Sequence, residues 1–254
     1  VKNKITVLIP TSPIPAHPST DVIEKAINSV RQHLPDVRII IMADGVRKEQ
    51  EHYHDQYLEY IKNLVGKSIF HWKNIALMPF TEFMHQAAMT RKALEMVETP
   101  QILFVEHDTF FLDGLPIDFE GISRVIEKGH ANMVGFHCQW EPWVIPEHEH
   151  LMLDKERAYF DGVPMIRTWQ WSQRPHVASA EFYRMILRNL FSKNCRTMIE
   201  DRMHDVVLGT RFALGDAGWK EWKLMYYAPT EGGTIRRTWT VDGRGADPKF
   251  PMEF

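Results

Sequence analysis

Gln101-Ile102-Leu103-Phe104-Val105-Glu106-His107-Asp108 is the stretch whose reading decides the fold. Residues 101–105 carry no charge and read as a short buried strand, which then runs straight into two carboxylates separated by one residue. In an extended chain, side chains i and i+2 share a face, so Glu106 and Asp108 are expected to point into one cleft. Hard carboxylate oxygens suit Mg2+ or Mn2+, and such a cation would neutralise a diphosphate. A strand that simply becomes polar as it reaches solvent is the other reading of an isolated acidic pair. Here the apolar residues Phe110-Phe111-Leu112 bury the far flank as well, which argues for acids held at a cleft.

Upstream of this segment, short apolar runs alternate with helical periodicity, the pattern of parallel strands joined by crossover helices. Lys4 to Pro10 predicts a strand, and a loop carrying Pro10, Pro13, Pro15 and Pro18 stops it. Ser19-Thr20-Asp21 opens a helix with Val22, Ile23, Ala26, Ile27, Val30 and Leu34 at helical spacing, ended by Pro35. Arg38 to Met42 predicts the second strand, and Ala43-Asp44-Gly45 closes it at the end where open α/β sheets place their ligands, which makes Asp44 a candidate site residue. A helix over about 48–64, a strand around 68–77 and a helix over about 83–97 are expected next. Downstream, helices near 121–128, 180–190 and 200–208 and a strand near 132–137 follow.

Composition bounds the rest. The 254 residues carry 30 Lys+Arg against 33 Asp+Glu, a net charge of −3, which does not favour nucleic acid as a partner. With 44% apolar and 25% charged residues, the chain is ordinary globular material. Nothing approaches the roughly 18 consecutive apolar residues of a membrane span. Cys138 and Cys195 cannot build a disulfide framework, so a reducing, cytoplasmic setting is expected. No internal repeat or linker is visible, and residues 1–254 are read as one domain with halves at about 1–137 and 138–254.

The order of these features resembles the GT-A fold of nucleotide-sugar glycosyltransferases, most closely a family 2-like enzyme. The residues carrying the resemblance are Val7-Leu8-Ile9-Pro10-Thr11-Ser12 after the first strand, Asp44 after the second, and Glu106-His107-Asp108 as a DxD-type motif. It covers residues 4–137 well and the remainder loosely. It implies an α/β, Rossmann-like mixed sheet flanked by helices, with the first half binding the nucleotide-sugar and the second the acceptor. It further implies that Pro10, Thr11, Asp44 and Glu106 line the donor site, Asp44 at the nucleoside, and that Asp108 is the direct ligand of Mn2+ or Mg2+. The motif departs from the family by its Glu in first position. Ile199-Glu200-Asp201-Arg202 resembles the family's acidic pair opening a helix, whose second acid, here Asp201, is the catalytic base of inverting enzymes. Glu200 and Asp201 equally suit a helix first turn by complementing its dipole, and Glu181 and Asp161 are further candidates for the base.

Three more groups invite functional readings. Trp169 and Trp171, interleaved with Arg167, Thr168, Gln170, Ser172, Gln173 and Arg174, offer an acceptor platform for a sugar ring or, alternatively, ordinary core packing. His176, leading into the helix near Glu181, is an acceptor-site candidate or a packing residue. The late segment from Glu231 to Gly245 combines glycines and cations, so Arg236, Arg237 and Arg244 could hold a sugar diphosphate under a closing loop, or merely balance surface acids. The expectation is a metal-dependent glycosyltransferase moving a sugar from a nucleoside diphosphate donor, UDP-sugar favoured, to a glycan or other hydroxyl, with inversion. A non-catalytic carbohydrate- or nucleotide-binding module and a modified-DNA glycosyltransferase are the alternatives.

Overall fold

The computed structural model describes residues 3–138, 146–229 and 235–241. The chain opens with strand β1 (Ile5–Thr11), whose seven residues are all buried, then helix α1 (Asp21–His33) and strand β2 (Arg38–Ala43). Strands without an exposed face must be covered on both sides, which is why β1 and β2 read as continuous apolar runs rather than alternating ones. A 3-10 turn over Lys48–Tyr53 leads into helix α2 (His54–Phe70), followed by edge strand β3 (Ile75–Pro79) and helix α3 (His85–Leu94). The sequence expectation of a strand beginning near 68 fails here: Ser68, Ile69 and Phe70 complete the last turn of α2, with the latter two exposed.

Strand β4 (Gln101–Phe104) sits beside β1 and ends one residue earlier than its apolar run. The acids that follow do not continue it. Thr109 N–H donates to the Glu106 carbonyl at 3.0 Å, so residues 106–109 form a turn, and the shared-face argument for an extended Glu106–Asp108 does not hold. The chain then forms β5 (Thr109–Phe111), outside the main sheet, and α4 (Phe119–Glu127), whose N-terminus Asp118 caps through Gly121 N–H at 2.7 Å.

Strand β6 (Met133–Gly135) precedes the second half, where β7 (Ala158–Phe160) and β8 (Val163–Arg167) form a hairpin. Asp161 and Gly162 at its tip have φ of 51° and 82°, the left-handed pair that a tight hairpin turn requires. Strand β9 (His176–Ser179) passes directly into α5 (Ala180–Leu190), with the Ser179 hydroxyl capping Phe182 N–H. Helix α6 (Ile199–Leu214), the short helix α7 (Trp219–Trp222), β10 (Leu224–Tyr227) and β11 (Thr238–Thr240) complete the described chain.

Among the described residues, the main sheet has the order β3-β2-β1-β4-β9-β6-β10-β8-β7 and β11 pairs only with β5. The first four strands are parallel, β9 runs against both β4 and β6, and β10 is parallel to β6. This is a mixed sheet flanked by helices, as the sequence predicts. The order reverses at β1, where β2 leaves to one side and β4 to the other. Ligands bind at such a switch point, beyond the carboxyl ends of the strands.

Candidate active site

The carboxyl ends of β1, β2 and β4 bring Thr11, Asp44 and Glu106 to one edge of the sheet. Asp44 N–H donates to the Thr11 carbonyl at 2.9 Å, extending the β1–β2 ladder by one residue. Two tyrosines of α2 hold the end of β1 from the other side. Tyr60 hydroxyl lies 3.1 Å from Thr11 Oγ1, and Tyr57 hydroxyl donates to the Thr11 carbonyl at 3.4 Å. Pro10 and Thr11 are both buried in this arrangement, so their hold on any donor runs through the shape of the loop that follows them.

Asp44 is 3% exposed. Its Oδ1 accepts Gly45 N–H at 2.8 Å and Met84 N–H at 2.6 Å, and its Oδ2 accepts His85 N–H at 2.9 Å. The carboxylate therefore ties the end of β2 to the start of α3. Desolvation raises its pKa, and the three backbone donors and the nearby His85 work against that rise. A carboxylate has about four acceptor positions, so one remains on Oδ2 for a ligand. Gly45 is required by the same junction: a Cβ there would lie 2.2 Å from the Glu82 carbonyl carbon.

Helix α3 is locked in turn to α6. Gln86 Oε1 accepts Ile199 N–H at 2.9 Å, and Ala87 N–H donates to the Thr197 carbonyl at 3.2 Å. Arg91 donates to the carbonyls of Leu187, Phe191, Ser192 and Lys193, satisfying the open end of α5. These ties fix the first turn of α6 beside the start of α3. Glu200 there accepts Gln173 N–H at 3.0 Å, and Asp201 next to it is exposed. Burial lowers the pKa of the His85 imidazole, partly offset by Asp44 and, to a smaller extent, Asp201.

Glu106 and Asp108 are half-buried on their turn, which Val241 N–H braces by donating to the Asp108 carbonyl at 2.7 Å. The His17 imidazole stacks on Tyr60 at 3.8 Å, and its pKa is pushed down to about 3, by burial first and by the charge of His107 second. Among the described residues, no group of three or more His, Cys, Asp or Glu could cage a metal by itself. Two carboxylates on an open turn nevertheless fit the way Mg2+ and Mn2+ bind at diphosphates, through one or two protein oxygens with phosphate and water completing the shell.

Several sequence expectations are corrected by burial. Trp169 and Trp171 are both fully buried, so neither ring presents a face to an acceptor. Trp171 Nε1–H reaches Gln173 Oε1 at 3.3 Å and its ring packs near Phe182 and Tyr183. His176 is also fully enclosed, its Nδ1 2.7 Å from the Arg174 carbonyl and its Nε2 against Tyr183 hydroxyl. Burial pushes this imidazole down to about 4, so it is neutral, a structural strut of β9 rather than an acceptor contact.

Arg236 and Arg237 are 1% and 0% exposed and belong to the core edge, not to an open basic loop. Arg237 Nε donates to the Pro116 carbonyl at 3.1 Å and its Nη1 to the Arg236 carbonyl at 2.8 Å. Arg236 lies over the Trp239 ring at 4.1 Å, and burial lowers its pKa. Arg244 lies outside the described residues. Asp161 is paired with Arg124 and Lys128 of α4 at the β7–β8 turn, and Glu181 is exposed beside Arg184, so neither is placed with Asp44 and Asp201. Sequence reasoning passed over Gln86, which docks α6, and His85.

No protein-family model and no curated protein matches this sequence. Solved structures do resemble it in fold. S. aureus TarS matches with a TM-score of 0.54 at 11% identity, over 94% of this chain and 36% of that one. Its 1–349 form in complex with UDP-GlcNAc matches with a TM-score of 0.53 at 13% identity, over 93% and 58%. GalNAc-T7 with UDP, GalNAc and Mn2+ matches with a TM-score of 0.53 at 10% identity, over 97% and 45%. The chain thus spans less than two thirds of these neighbours' lengths. Identities this low show the fold alone, and that fold is GT-A. Among the described residues, no helix is long and apolar enough to cross a membrane.

Proposed function

We propose that the chain transfers a sugar from a nucleoside diphosphate-sugar, UDP-sugar favoured, to a hydroxyl of a glycan or similar acceptor, with inversion and with Mn2+ or Mg2+ at Asp108. What supports this reading is the placement of Asp44 after β2 and of the Glu106–Asp108 turn after β4 at the carboxyl ends of parallel strands of a GT-A sheet, together with the hydrogen bonds that tie Asp44 to the start of α3 and α3 to the first turn of α6. The UDP-GlcNAc bound in the TarS complex supports a nucleotide-sugar as the donor class, and the Mn2+ in the GalNAc-T7 structure supports the cation.

In this reading the free acceptor position of Asp44 takes a donor N–H of the nucleobase. Asp108 would hold the cation, with Glu106 beside it or at the ribose, and a cation bound there would supply charge neutralisation at the diphosphate. Asp201, exposed on the first turn of α6, takes the proton from the acceptor hydroxyl as its oxygen attacks the anomeric carbon. The bond from that carbon to the diphosphate breaks, and its electron pair leaves with the phosphate oxygen.

A thermal-shift and calorimetric panel of UDP-, GDP-, dTDP- and CMP-sugars, each with Mn2+ and with a chelator, tests the donor half without knowledge of the acceptor. A ligand at about 100 times its Kd stabilises by roughly 2.7 kcal/mol, well within reach of both methods. One Mn2+-dependent hit that vanishes in Asp108→Ala is expected. Silence across the panel overturns the proposal, and transfer retained in Asp201→Asn overturns the assignment of the base.

A further inference from the structure

Arg174 is an exposed cation on the loop that leads into β9, at the edge of the sheet that carries the acidic turn. Strand β9 runs against β4 with His176 opposite Phe104, so the residues just before β9 lie alongside those just after β4. A hydrogen bond fixes where the side chain goes from there: Arg174 Nη1–H donates to Thr240 Oγ1 at 3.2 Å. Thr240 faces Thr109 across the β5–β11 pair, their hydroxyl oxygens 3.0 Å apart. Thr109 closes the turn on the Glu106 carbonyl, and Val241, next to Thr240, donates to the Asp108 carbonyl. The guanidinium is thus bonded to the strand pair that frames both acids.

The stem of the side chain is held as well. Arg174 N–H donates to Ser172 Oγ at 3.4 Å, and its carbonyl lies 2.7 Å from Nδ1 of the buried His176. The Pro175 carbonyl accepts Phe136 N–H at 3.0 Å, and a proline in that position biases Arg174 toward extended backbone. A guanidinium carries five N–H donors, of which Thr240 takes one. Among the described residues, Arg174 forms no ion pair. Other arginines are committed elsewhere: Arg167 to Asp154, Arg91 to four carbonyls at the end of α5, and Arg236 and Arg237 to the interior.

We propose that Arg174 binds the β-phosphate of the nucleoside diphosphate. This rests on the reading of the cleft as a donor site and deepens it. The strand order β2-β1-β4-β9 sets Asp44, the acidic turn and Arg174 in a row along one edge. A nucleoside at Asp44 with its diphosphate at the turn brings the phosphate farther from the base toward β9 and its arginine. Two N–H groups of a guanidinium match two phosphate oxygens, a fork that an ammonium does not offer. As the bond to the sugar breaks, negative charge grows on that phosphate, and a cation already in place stabilises it without rearrangement.

Calorimetric titration of the whole chain with inorganic diphosphate, UMP and UDP, Mg2+ present throughout, tests the proposal in wild type, Arg174→Ala and Arg174→Lys. The side chain is exposed, so both variants should fold as wild type does. Arg174→Ala should bind UDP and inorganic diphosphate about tenfold more weakly and UMP as tightly as wild type, and Arg174→Lys should recover part of the loss. Equal weakening of UMP and UDP would mark a general effect on the cleft and overturn the assignment, as would unchanged binding of both UDP and inorganic diphosphate. A wild type that binds inorganic diphosphate but not UDP, with that binding weakened in Arg174→Ala, would refute the UDP donor and leave Arg174 as a diphosphate contact. A wild type that binds neither would overturn both.

Discussion

Removing the Asp44 carboxylate should cost the protein more stability than any other single polar change near the site. Asp44→Ala leaves three backbone donors, the buried one of Gly45 and the part-buried ones of Met84 and His85, without the acceptor they now share. An unsatisfied buried N–H costs about 1–3 kcal/mol, so the simple sum is about 3–9 kcal/mol. Relief of burying a charge offsets part of this, because burial already disfavours the Asp44 carboxylate. About 3–5 kcal/mol remains, which for a chain of this size is a Tm lowered by roughly 8–15 °C. Asp44→Asn keeps an oxygen for Gly45 and Met84 and sets an amide against His85 N–H, so its loss should be smaller. Thermal unfolding followed by circular dichroism reads both. A Tm for Asp44→Ala within about 2 °C of wild type would mean the β2–α3 tie carries no weight. In that case Asp44 would have to be explained by ligand binding alone.

Other outcomes follow from the burial pattern. Trp171→Ala should destabilise by about 3–5 kcal/mol, the range for a large buried aromatic; a variant that instead melted normally and lost only acceptor affinity would contradict its place in the core. The His176 imidazole, pushed down from 6.5 to about 4, binds fewer protons in the folded state than unfolded between those values. Its contribution is therefore present above pH 6.5 and is lost as pH falls toward 4, at up to about 1.4 kcal/mol per pH unit. A plot of Tm against pH should be shallower across that window in His176→Asn than in wild type, and parallel curves would exclude the buried neutral imidazole as a source of acid sensitivity. Ser179→Ala removes the cap of α5 and should cost about 1 kcal/mol in urea unfolding; no change in midpoint would show that the β9–α5 junction holds without it.

How far the sequence could be read depended on what each residue's partners were. Residues 7–9, 39–42 and 102–105 are short apolar runs bounded by turn residues or helical periodicity, which reads as buried strands, so the parallel half of the sheet was legible. Asp44 was legible as a strand-end acid, but its three backbone partners were not, since Met84 and His85 lie forty residues away. The Glu106–Asp108 turn was misjudged as extended because nothing local distinguishes a strand that continues from one that folds back at a polar residue. Trp169 and Trp171 misled because Thr168, Gln170 and Gln173 beside them look like surface residues. In the fold those polar groups are satisfied internally: Thr168 hydroxyl donates to the Leu151 carbonyl, Gln170 takes Tyr226 hydroxyl, and Gln173 joins Trp171 and Tyr183. Arg236 and Arg237 misled in the same way, as buried cations whose described partners include the carbonyls of Thr238, Pro116 and Arg236. The left-handed backbone of His85 leaves no mark in sequence at all.

The pairing of β11 with β5 reaches across more than a hundred residues to brace the turn that carries Glu106 and Asp108. In a chain emerging from the ribosome, the strands around residues 5–104 are available more than a hundred residues before the segment that fixes Asp108 through Val241. A nascent chain can thus assemble its first parallel strands before its acidic turn is secured, so any affinity that depends on that turn should arise only once residue 241 has emerged. The same order makes residues 235–241 a point of vulnerability: a proteolytic cut ahead of them would leave the sheet standing while releasing the turn.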